Sequence, residues 1–580
     1  MMGTSRNRIW RALVALLVMT LVAAACGDSD DSDTADAPAA PAETPDVAPD
    51  TDGPDDSDAA DAADDAPAAP AETPDDEPAT DGDMALLGID PAPPACPATA
   101  GGSIVAAFAE ELVTLDAPND FQLGTSTSAL YALIYDRFFR TTPDLGEIVP
   151  QLATSAEANE DYTEWTITLR EGVTFHDGSL FTAADAAFSL WYTFDSWNGY
   201  TFGPVSDISI VDDYTVVVTF ESPYGNFLLE GLAAPFSGVV FKEDFGGLSP
   251  EEYFQAPITT GPYMVEDYNA STGLTLVANN NYWSGDGPYL ETIEVRFVSD
   301  PVQRSIGLQG GEFAYADSMT ARLIDELPGN VQGRVLPSTA VITLFTWPTN
   351  PLLADDNVRA AIRHAIDRER IAENIYGGYA KPAATYLPPS LAGVSGIDTD
   401  EYDFDLERAR ALMADSEFPD GGSFELVFTA GNPNMDLETQ FIQANLAEIG
   451  IDVTLRPVSY TEYSDLVQGR TADAALFNNT AITADPIDFT SFIVLDEGVA
   501  LGGAWPIEVL VDLVDQLFAT DDPAETEALF SESAAYMATL AAHIPTVNPE
   551  TLLAHSTDLQ NLTISAMNEP RLDQAWLCEG

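Results

Sequence analysis

Length and charge already restrict what this chain can be. Its 580 residues are enough for two or three lobes around separate cores, and 95 acidic against 21 basic side chains give a formal net charge of −74. Such a surface repels phosphate backbones, so we expect no nucleic-acid partner. Lysine occurs only at Lys242 and Lys381, and neither lies in a Gly-Lys-Ser/Thr context, which excludes a phosphate-binding P-loop.

The sequence carries no recognisable catalytic or metal-binding motif. His-Glu-x-x-His, Cys-x-x-Cys, Gly-x-Ser-x-Gly and Gly-x-Gly-x-x-Gly do not occur. No two of the histidines have the spacing of a metal-ligand pair; they are His176, His364, His543 and His555. We therefore predict no metal, no cofactor and no enzymatic activity.

The N-terminus predicts export and anchoring. Arginines at positions 6, 8 and 11 precede an apolar run at 12–25 that is short for a membrane span and ends in small residues. Cys26 follows Leu-Val-Ala-Ala-Ala and resembles the lipidated cysteine of a bacterial lipobox. We predict a lipoprotein signal peptide at 1–26 and a lipid anchor on the outer face of the cytoplasmic membrane. Plain secretion with cleavage nearby stays open.

A polar segment separates this anchor from the folded part. Residues 27–83 contain no aromatic residue, lysine or arginine, and the sequence DAPAAPAETPD occurs at 36–46 and again at 65–75. Such a composition buries too little apolar surface to fold. We predict that 27–97 form a disordered acidic tether.

The two remaining cysteines lie near the ends of the folded region. An exported chain with Cys96 and Cys578 in these places predicts a disulfide that closes a loop of 482 residues. Two free thiols are the alternative.

The segment 165–190 is the most informative in the chain. Residues 165–170 alternate apolar and polar side chains, which predicts a strand, and 173–175 predict a second short strand. His176-Asp177-Gly178 predicts a tight turn in which glycine takes the left-handed position. Thr182 and Asp185 then have the spacing of a capping box and predict the start of a helix.

Other parts of the chain show equally regular patterns. Apolar spacing predicts a helix at 129–139, and 424–428, 437–449 and 451–457 predict a strand, a helix and a strand in parallel β-α-β order.

These segments resemble the signatures of the family 5 solute-binding proteins of ABC importers, the peptide/nickel-binding class. The pattern Leu-Arg, Gly-Val, Phe-His-Asp-Gly, Thr-Ala-x-Asp stands in order at 169–185. Thr-Gly-Pro-Tyr at 260–263, Asn-Tyr-Trp at 281–283, the helix at 356–368 and the Glu-Ile-Gly-Ile turn at 448–451 resemble later family segments.

The resemblance implies an α/β fold of the periplasmic-binding-protein type II class, with two ligand-enclosing lobes, an extra lobe and a hinge. We assign 98–127, 255–340 and 546–580 to lobe I, 128–254 to the extra lobe II and 341–545 to lobe III.

The same resemblance implies a function. A monomeric chain would capture peptides outside the membrane and deliver them to an ABC permease whose ATPase is a separate subunit. A carrier of oligosaccharide or another small solute is one alternative, and a sensory lipoprotein on the same fold is another.

Family peptide binders line their pocket with a lobe III loop, which corresponds here to 476–486. These binders often carry a Trp and an Asp four residues before a Pro, but Asn479 and Ile482 stand at those positions. The neutral Asn478, Asn479 and Thr480 suit hydroxyl-rich ligands or peptide backbone. The further candidate ligand contacts are Asp485, Tyr460 and Trp283. The alternatives are a structural acid for Asp485, which stands next to Pro486, and a core or hinge aromatic for Trp283.

Overall fold

The computed structural model describes residues 94–120, 125–145, 147–285, 287–391, 394, 396–397, 402–430, 432–481, 483, 485–494, 505, 507–518, 520 and 523–578. The predicted signal peptide, Cys26 and most of the predicted tether lie outside these residues.

The described strands, in chain order, are β1 (Ser103–Phe108), β2 (Phe139–Thr141), β3 (Ile148–Pro150), β4 (Ala153–Ala158), β5 (Glu164–Leu169), β6 (Val205–Asp212), β7 (Thr215–Phe220), β8 (Tyr263–Asn269), β9 (Gly273–Ala278), β10 (Thr292–Phe297), β11 (Tyr315–Ala316), β12 (Val331–Leu336), β13 (Ala340–Thr346), β14 (Ala380–Pro382), β15 (Gly422–Thr429), β16 (Ile451–Val458), β17 (Ala474–Thr480), β18 (His543–Pro545), β19 (Val547–Pro549), β20 (Thr551–Ser556), β21 (Leu559–Gln560) and β22 (Trp576–Leu577).

The described α-helices are α1 (Thr125–Ile134), α2 (Ala183–Phe194), α3 (Pro250–Tyr253), α4 (Pro301–Gln309), α5 (Ala321–Asp325), α6 (Pro351–Ala354), α7 (Asp356–Ala365), α8 (Arg368–Asn374), α9 (Leu406–Asp415), α10 (Pro433–Ala447), α11 (Tyr460–Gln468), α12 (Pro486–Val494), α13 (Glu508–Leu517) and α14 (Pro523–Leu540). Short helical turns lie at Ala117–Asn119, Trp197–Phe202, Leu228–Leu232 and Glu243–Gly247.

Three sheets organise these elements. The first has the order β12-β20-β11-β1-β10-β9-β8, the second β4-β5-β7-β6 and the third β16-β15-β17-β13-β18. In the first sheet β1 is parallel to both β10 and β11, whereas the second sheet is antiparallel throughout. We call the bodies built on these sheets lobe I, lobe II and lobe III. The exact lobe boundaries remain predictions.

The segment 165–190 forms the centre of lobe II. β5 buries Trp165, Ile167 and Leu169 on one face, as its alternating pattern predicts. Gly178 has a φ of 82°, the left-handed conformation that the turn requires. The capping box is present at the start of α2, where Asp185 Oδ2 accepts a hydrogen bond from the Thr182 backbone N–H at 2.9 Å.

Lobe III contains the predicted β-α-β unit. β15 and β16 pair in parallel, in register from Gly422↔Ile451 to Thr429↔Val458, and α10 connects them. A parallel pair needs such a crossover, so the predicted strand, helix and strand are confirmed.

Two predicted elements are wrong in extent. The helix predicted at 129–139 is α1, which ends at Ile134, because Arg137 pairs as a β-bridge with Val239 and Phe138 N–H donates to the Gly238 carbonyl oxygen. The strand predicted at 173–175 is only an isolated bridge between Thr174 and Leu180.

The ends of the folded region meet in lobe I. Cys96 and Cys578 form a disulfide, with their Cα atoms 5.8 Å apart. The Trp576 indole N–H donates to the Cys96 carbonyl oxygen at 3.3 Å beside it.

Candidate functional site between the lobes

Two family signatures meet where lobe I joins lobe II. The backbone N–H of His176 donates to the Thr259 carbonyl oxygen at 2.8 Å, and the ring Nε2 of His176 lies 3.0 Å from the Gly261 carbonyl oxygen. Burial lowers the pKa of His176, so the ring is neutral at pH 7 and Nε2–H is assigned as the donor to Gly261. A Cβ on Gly261 would lie 2.2 Å from the Ile134 carbonyl oxygen, so this approach needs glycine.

Trp283 lies at the same junction between structural partners. Its indole N–H donates to Asp136 Oδ2 at 2.7 Å, and the Arg170 guanidinium stands 4.7 Å from the ring centroid. Asp136 also accepts from Tyr282 and Thr260, while burial raises its pKa to about 6. These contacts explain Trp283 without a ligand.

The predicted lobe III loop at 476–486 begins as a strand, which corrects that prediction. β17 continues to Thr480 because it pairs antiparallel with β13, in register from Ala340↔Thr480 to Thr346↔Ala474. Alternation along the strand then places Asn478 and Thr480 on one face and Asn479 on the other.

Asn479 is turned into the core of lobe III. It is 2% exposed, and its Nδ2 lies 3.2 Å from Nε2 of His543. Burial lowers the pKa of His543 to about 3, so the ring is neutral and accepts the amide hydrogen. Asn478 is exposed and Thr480 is half-buried, so of the three only Asn479 has lost its access to solvent.

Asp485 is buried at the start of a helix. Its Oδ1 accepts from the Ile487 N–H at 2.8 Å at the start of α12, as a helix-capping carboxylate does. The neighbouring Glu230, in the helical turn 228–232 of lobe II, also acts on the pKa of Asp485. Burial raises the pKa of Asp485 to about 6.

The remaining predicted positions are Tyr460 and Ile482. Tyr460 begins α11, Ser459 caps this helix by accepting from the Glu462 N–H at 3.2 Å, and Tyr463 is buried against Phe477, with ring centroids 5.7 Å apart. The side chain of Tyr460 and all of Ile482 lie outside the described part of the chain.

The sequence reasoning missed Glu110, two residues after β1. The side chain keeps solvent exposure, but the surrounding protein partly desolvates its carboxyl. This desolvation, reinforced by the charge of Asp317, raises the pKa of Glu110 to about 7, while the backbone N–H of Ser126 at the start of α1 opposes this rise. The position of Glu110 just beyond the carboxyl end of a parallel strand is a signal that could have found it, because ligands of α/β sheets gather there.

Among the described residues, no cluster of three or more His, Cys, Asp or Glu side chains could hold a metal ion. None of the helices in this part of the chain combines the length and apolarity needed to cross a bilayer.

Residues 147–499, more than half of the chain, match the model of the bacterial extracellular solute-binding proteins, family 5 Middle. The chain belongs to this family. As a family 5 protein it is an extracytoplasmic binding protein of a transport system and not an enzyme.

Curated relatives of this family 5 protein include the glutathione-binding protein GsiB of Salmonella paratyphi A, which is 28% identical over 395 residues, or 67% of this chain and 75% of GsiB. The dipeptide-binding protein of Escherichia coli is 26% identical over 476 residues, or 76% of this chain and 87% of the relative.

Solved structures similar to this chain include the periplasmic binding protein DppA of Helicobacter pylori in complex with the peptide STSA. It superposes with a TM-score of 0.72 at 23% identity and covers 83% of this chain and 99% of DppA. The predicted type II periplasmic-binding-protein fold is confirmed.

Proposed function

We propose that this family 5 protein captures peptides outside the cytoplasmic membrane and delivers them to the permease of an ABC importer. The observation that carries the proposal is its relationship, over two thirds or more of the chain, to glutathione-binding and dipeptide-binding proteins. Both of those ligands are short peptides.

The arrangement of the lobes suits this role. The chain crosses directly from β12 in the first sheet to β13 in the third, and such a crossing suits a hinge about which lobe I and lobe III close on a ligand. Binding energy then stabilises the closed form that a permease recognises, and no bond of the peptide is broken. A separate ATPase subunit supplies the energy for transport. The chain acts as a monomer. A lipid on Cys26 anchors it to the outer face of the cytoplasmic membrane, and the tether at 27–97 links this anchor to the folded part.

We propose Asn478, Thr480 and Tyr460 as ligand contacts from lobe III and Glu110 as one from lobe I. Asn478 and Thr480 share one face of β17 and are not fully buried, so their polar atoms are available to a peptide backbone. The exposed Glu110 carboxyl would suit a ligand amine. Asn479, Asp485 and Trp283 have partners within the protein and would shape the site indirectly.

Thermal unfolding of the full-length chain tests the proposal against two panels, one of glutathione and peptides of two to nine residues and one of oligosaccharides. A ligand that binds only the folded state increases the free energy of unfolding, by about 2.7 kcal/mol when its concentration is a hundred times Kd, and thereby raises the melting temperature. We expect peptides to raise it and oligosaccharides to leave it unchanged.

Variants locate the site. Asn478→Ala should weaken peptide binding several-fold, whereas the matched Asn281→Ala, at an exposed position on lobe I, should not. A shift with sugars alone would refute the peptide assignment and leave the solute-binding fold intact.

A further inference from the structure

A cleft with apolar and acidic walls lies where the segment after β1, α3 with the residues that follow it, and β8 meet. Its volume is about 260 Å³. Drug-sized ligands occupy larger pockets, so this cleft suits a smaller molecule. None of the residues proposed above as peptide contacts lines it. Its walls combine three kinds of side chain, namely the aliphatic Leu115 and Pro250, the aromatic Phe254 and Tyr268, and the acidic Asp116 and Glu251.

The aromatic walls are held in place by their own neighbours. Phe254 is buried, and its ring centroid lies 5.4 Å from that of Phe245 and 6.1 Å from that of Tyr192. The Tyr268 hydroxyl donates to the Leu112 carbonyl oxygen at 2.6 Å, which fixes its ring against the segment after β1. The cleft is therefore preformed, and a ligand would not have to order these side chains.

Asp116 is oriented through one oxygen only. Its Oδ2 accepts hydrogen bonds from the Tyr192 hydroxyl at 2.6 Å and from Asn119 Nδ2 at 2.9 Å. Its Oδ1 lies out of contact with solvent and has no hydrogen-bond partner among the described residues. Burial raises the pKa of Asp116 although both donors oppose this rise. The carboxylate is thus fixed in position, while its charge is incompletely stabilised.

Glu251 adds a second acid to the lining, from α3. Its side chain is exposed. In the described part of the chain, no lysine, arginine or histidine forms an ion pair with either acid, and Lys242, the lysine nearest in sequence, pairs with Asp177. Two carboxyl groups therefore act on the cleft without an opposing positive charge, on a protein whose net charge of −74 already attracts cations.

We propose that this cleft binds a small organic ammonium, with its cationic group at Asp116 and Glu251 and its apolar body against Phe254 and Tyr268. Aromatic rings also attract cations, so both kinds of wall favour the same ligand. A bare metal ion does not fit, because the described residues contain no group of three or more His, Cys, Asp or Glu side chains that could hold one. The proposal stands whichever solute the protein transports.

Calorimetric titration of the full-length protein in detergent tests this. The probe is 2-phenylethylammonium at neutral pH, and 2-phenylethanol is its uncharged counterpart with nearly the same shape. We expect saturable binding of the ammonium at one site and no measurable binding of the alcohol over the same concentrations. No binding of the ammonium, or equal binding of both compounds, overturns the proposal.

Two variants locate the bound cation. Glu251→Gln changes an exposed side chain and should weaken binding of 2-phenylethylammonium about fivefold, as the loss of a solvent-exposed charge pair does. Asp116→Asn keeps an oxygen for Tyr192 and Asn119 and should weaken binding at least as much. Glu291→Gln, at an exposed position outside the cleft, is the matched control and should bind as the parent does. Parent-like affinity in Glu251→Gln and in a folded Asp116→Asn contradicts the assignment.

A third variant separates this cleft from the peptide site, since the proposed contact Glu110 could also receive an amine. Glu110→Gln should leave the affinity for 2-phenylethylammonium unchanged, and Glu251→Gln should leave peptide binding unchanged. If Glu110→Gln abolishes ammonium binding while Glu251→Gln retains it, the cation occupies the peptide site and the proposal is wrong. If no peptide binds but the ammonium still does, the peptide assignment fails and the second site stands.

Discussion

His176 and Gly261 join lobe II to lobe I through a 3.0 Å hydrogen bond from Nε2–H to a carbonyl oxygen. The two residues belong to the His-Asp-Gly turn and the Thr-Gly-Pro-Tyr turn, which resemble two separate family signatures. The two signatures therefore share a structural role, because their contact attaches lobe II to lobe I.

Replacing His176 should loosen this joint. His176→Ala removes the donor to Gly261 and the ring packed at the boundary, but Asn279 Nδ2 still donates to the same oxygen at 3.1 Å. We expect a moderate loss of about 1–2 kcal/mol, seen as a lower midpoint of thermal unfolding. Glu171→Ala, an exposed neighbour, should leave the midpoint unchanged. Equal midpoints for both variants would show that the contact contributes no stability.

Asn478 and Asn479 offer a matched pair on one strand. Asn479→Ala leaves buried His543 without its amide partner and should lower the free energy of unfolding by about 1–3 kcal/mol. Asn478→Ala alters an exposed side chain and should stay within about 0.5 kcal/mol of the parent. Urea unfolding of both variants measures the difference, and the reverse order of stability would contradict the placement of Asn479 in the core.

Glu438 should make stability depend on pH. The side chain is fully buried, accepts hydrogen bonds from Tyr376 and Thr546, and has a pKa that burial raises to about 7. The folded state thus keeps a proton that the unfolded state loses near pH 4.5. The contribution of Glu438 to the free energy of unfolding is fully present below pH 4.5. It decreases by about 3 kcal/mol in total as the pH rises to about 7.

Glu438→Gln isolates this contribution, since the amide keeps a donor and an acceptor but does not titrate. The difference in unfolding free energy between parent and variant should change by about 3 kcal/mol between pH 4.5 and pH 8, to the disadvantage of the parent at high pH. Parallel pH profiles would show that Glu438 has an ordinary pKa.

Removal of the disulfide should destabilise the protein. Cys96→Ser with Cys578→Ser frees a 482-residue loop in the unfolded chain, and the chain-entropy model gives roughly 5–6 kcal/mol as an upper figure. The midpoint of thermal unfolding should fall in the double variant and also when a reductant is added to the parent. Cys26→Ser is the control and should not change it.

Local chemistry made much of the fold predictable. Thr182 and Asp185 predict the start of α2, because a capping box involves only four consecutive residues. Apolar periodicity and a Gly turn predict the unit from β15 to β16. The helix predicted past Ile134 failed because Arg137 pairs with Val239, a contact that local pattern does not contain. β17 extends into the predicted loop for the same reason, since β13 supplies its partner.

The candidate site was less predictable. Residue types drew attention to Asn479 and Trp283, but their buried partners, His543 and Asp136, come from distant segments. Glu230 drew no attention, because nothing in its own sequence neighbourhood indicates that it will neighbour Asp485 of another lobe. Pairings between lobes depend on how whole bodies pack, which a periodic pattern does not encode.

The Cys96–Cys578 bond has a consequence for how the exported protein withstands damage. It makes the folded body a covalent ring, so one cut by a protease at any point between the two cysteines opens the ring without releasing a fragment. The pieces stay attached to each other and to whatever precedes Cys96, and a nicked molecule can retain all three lobes. Only a second cut, or reduction of the bond, sets part of the body free.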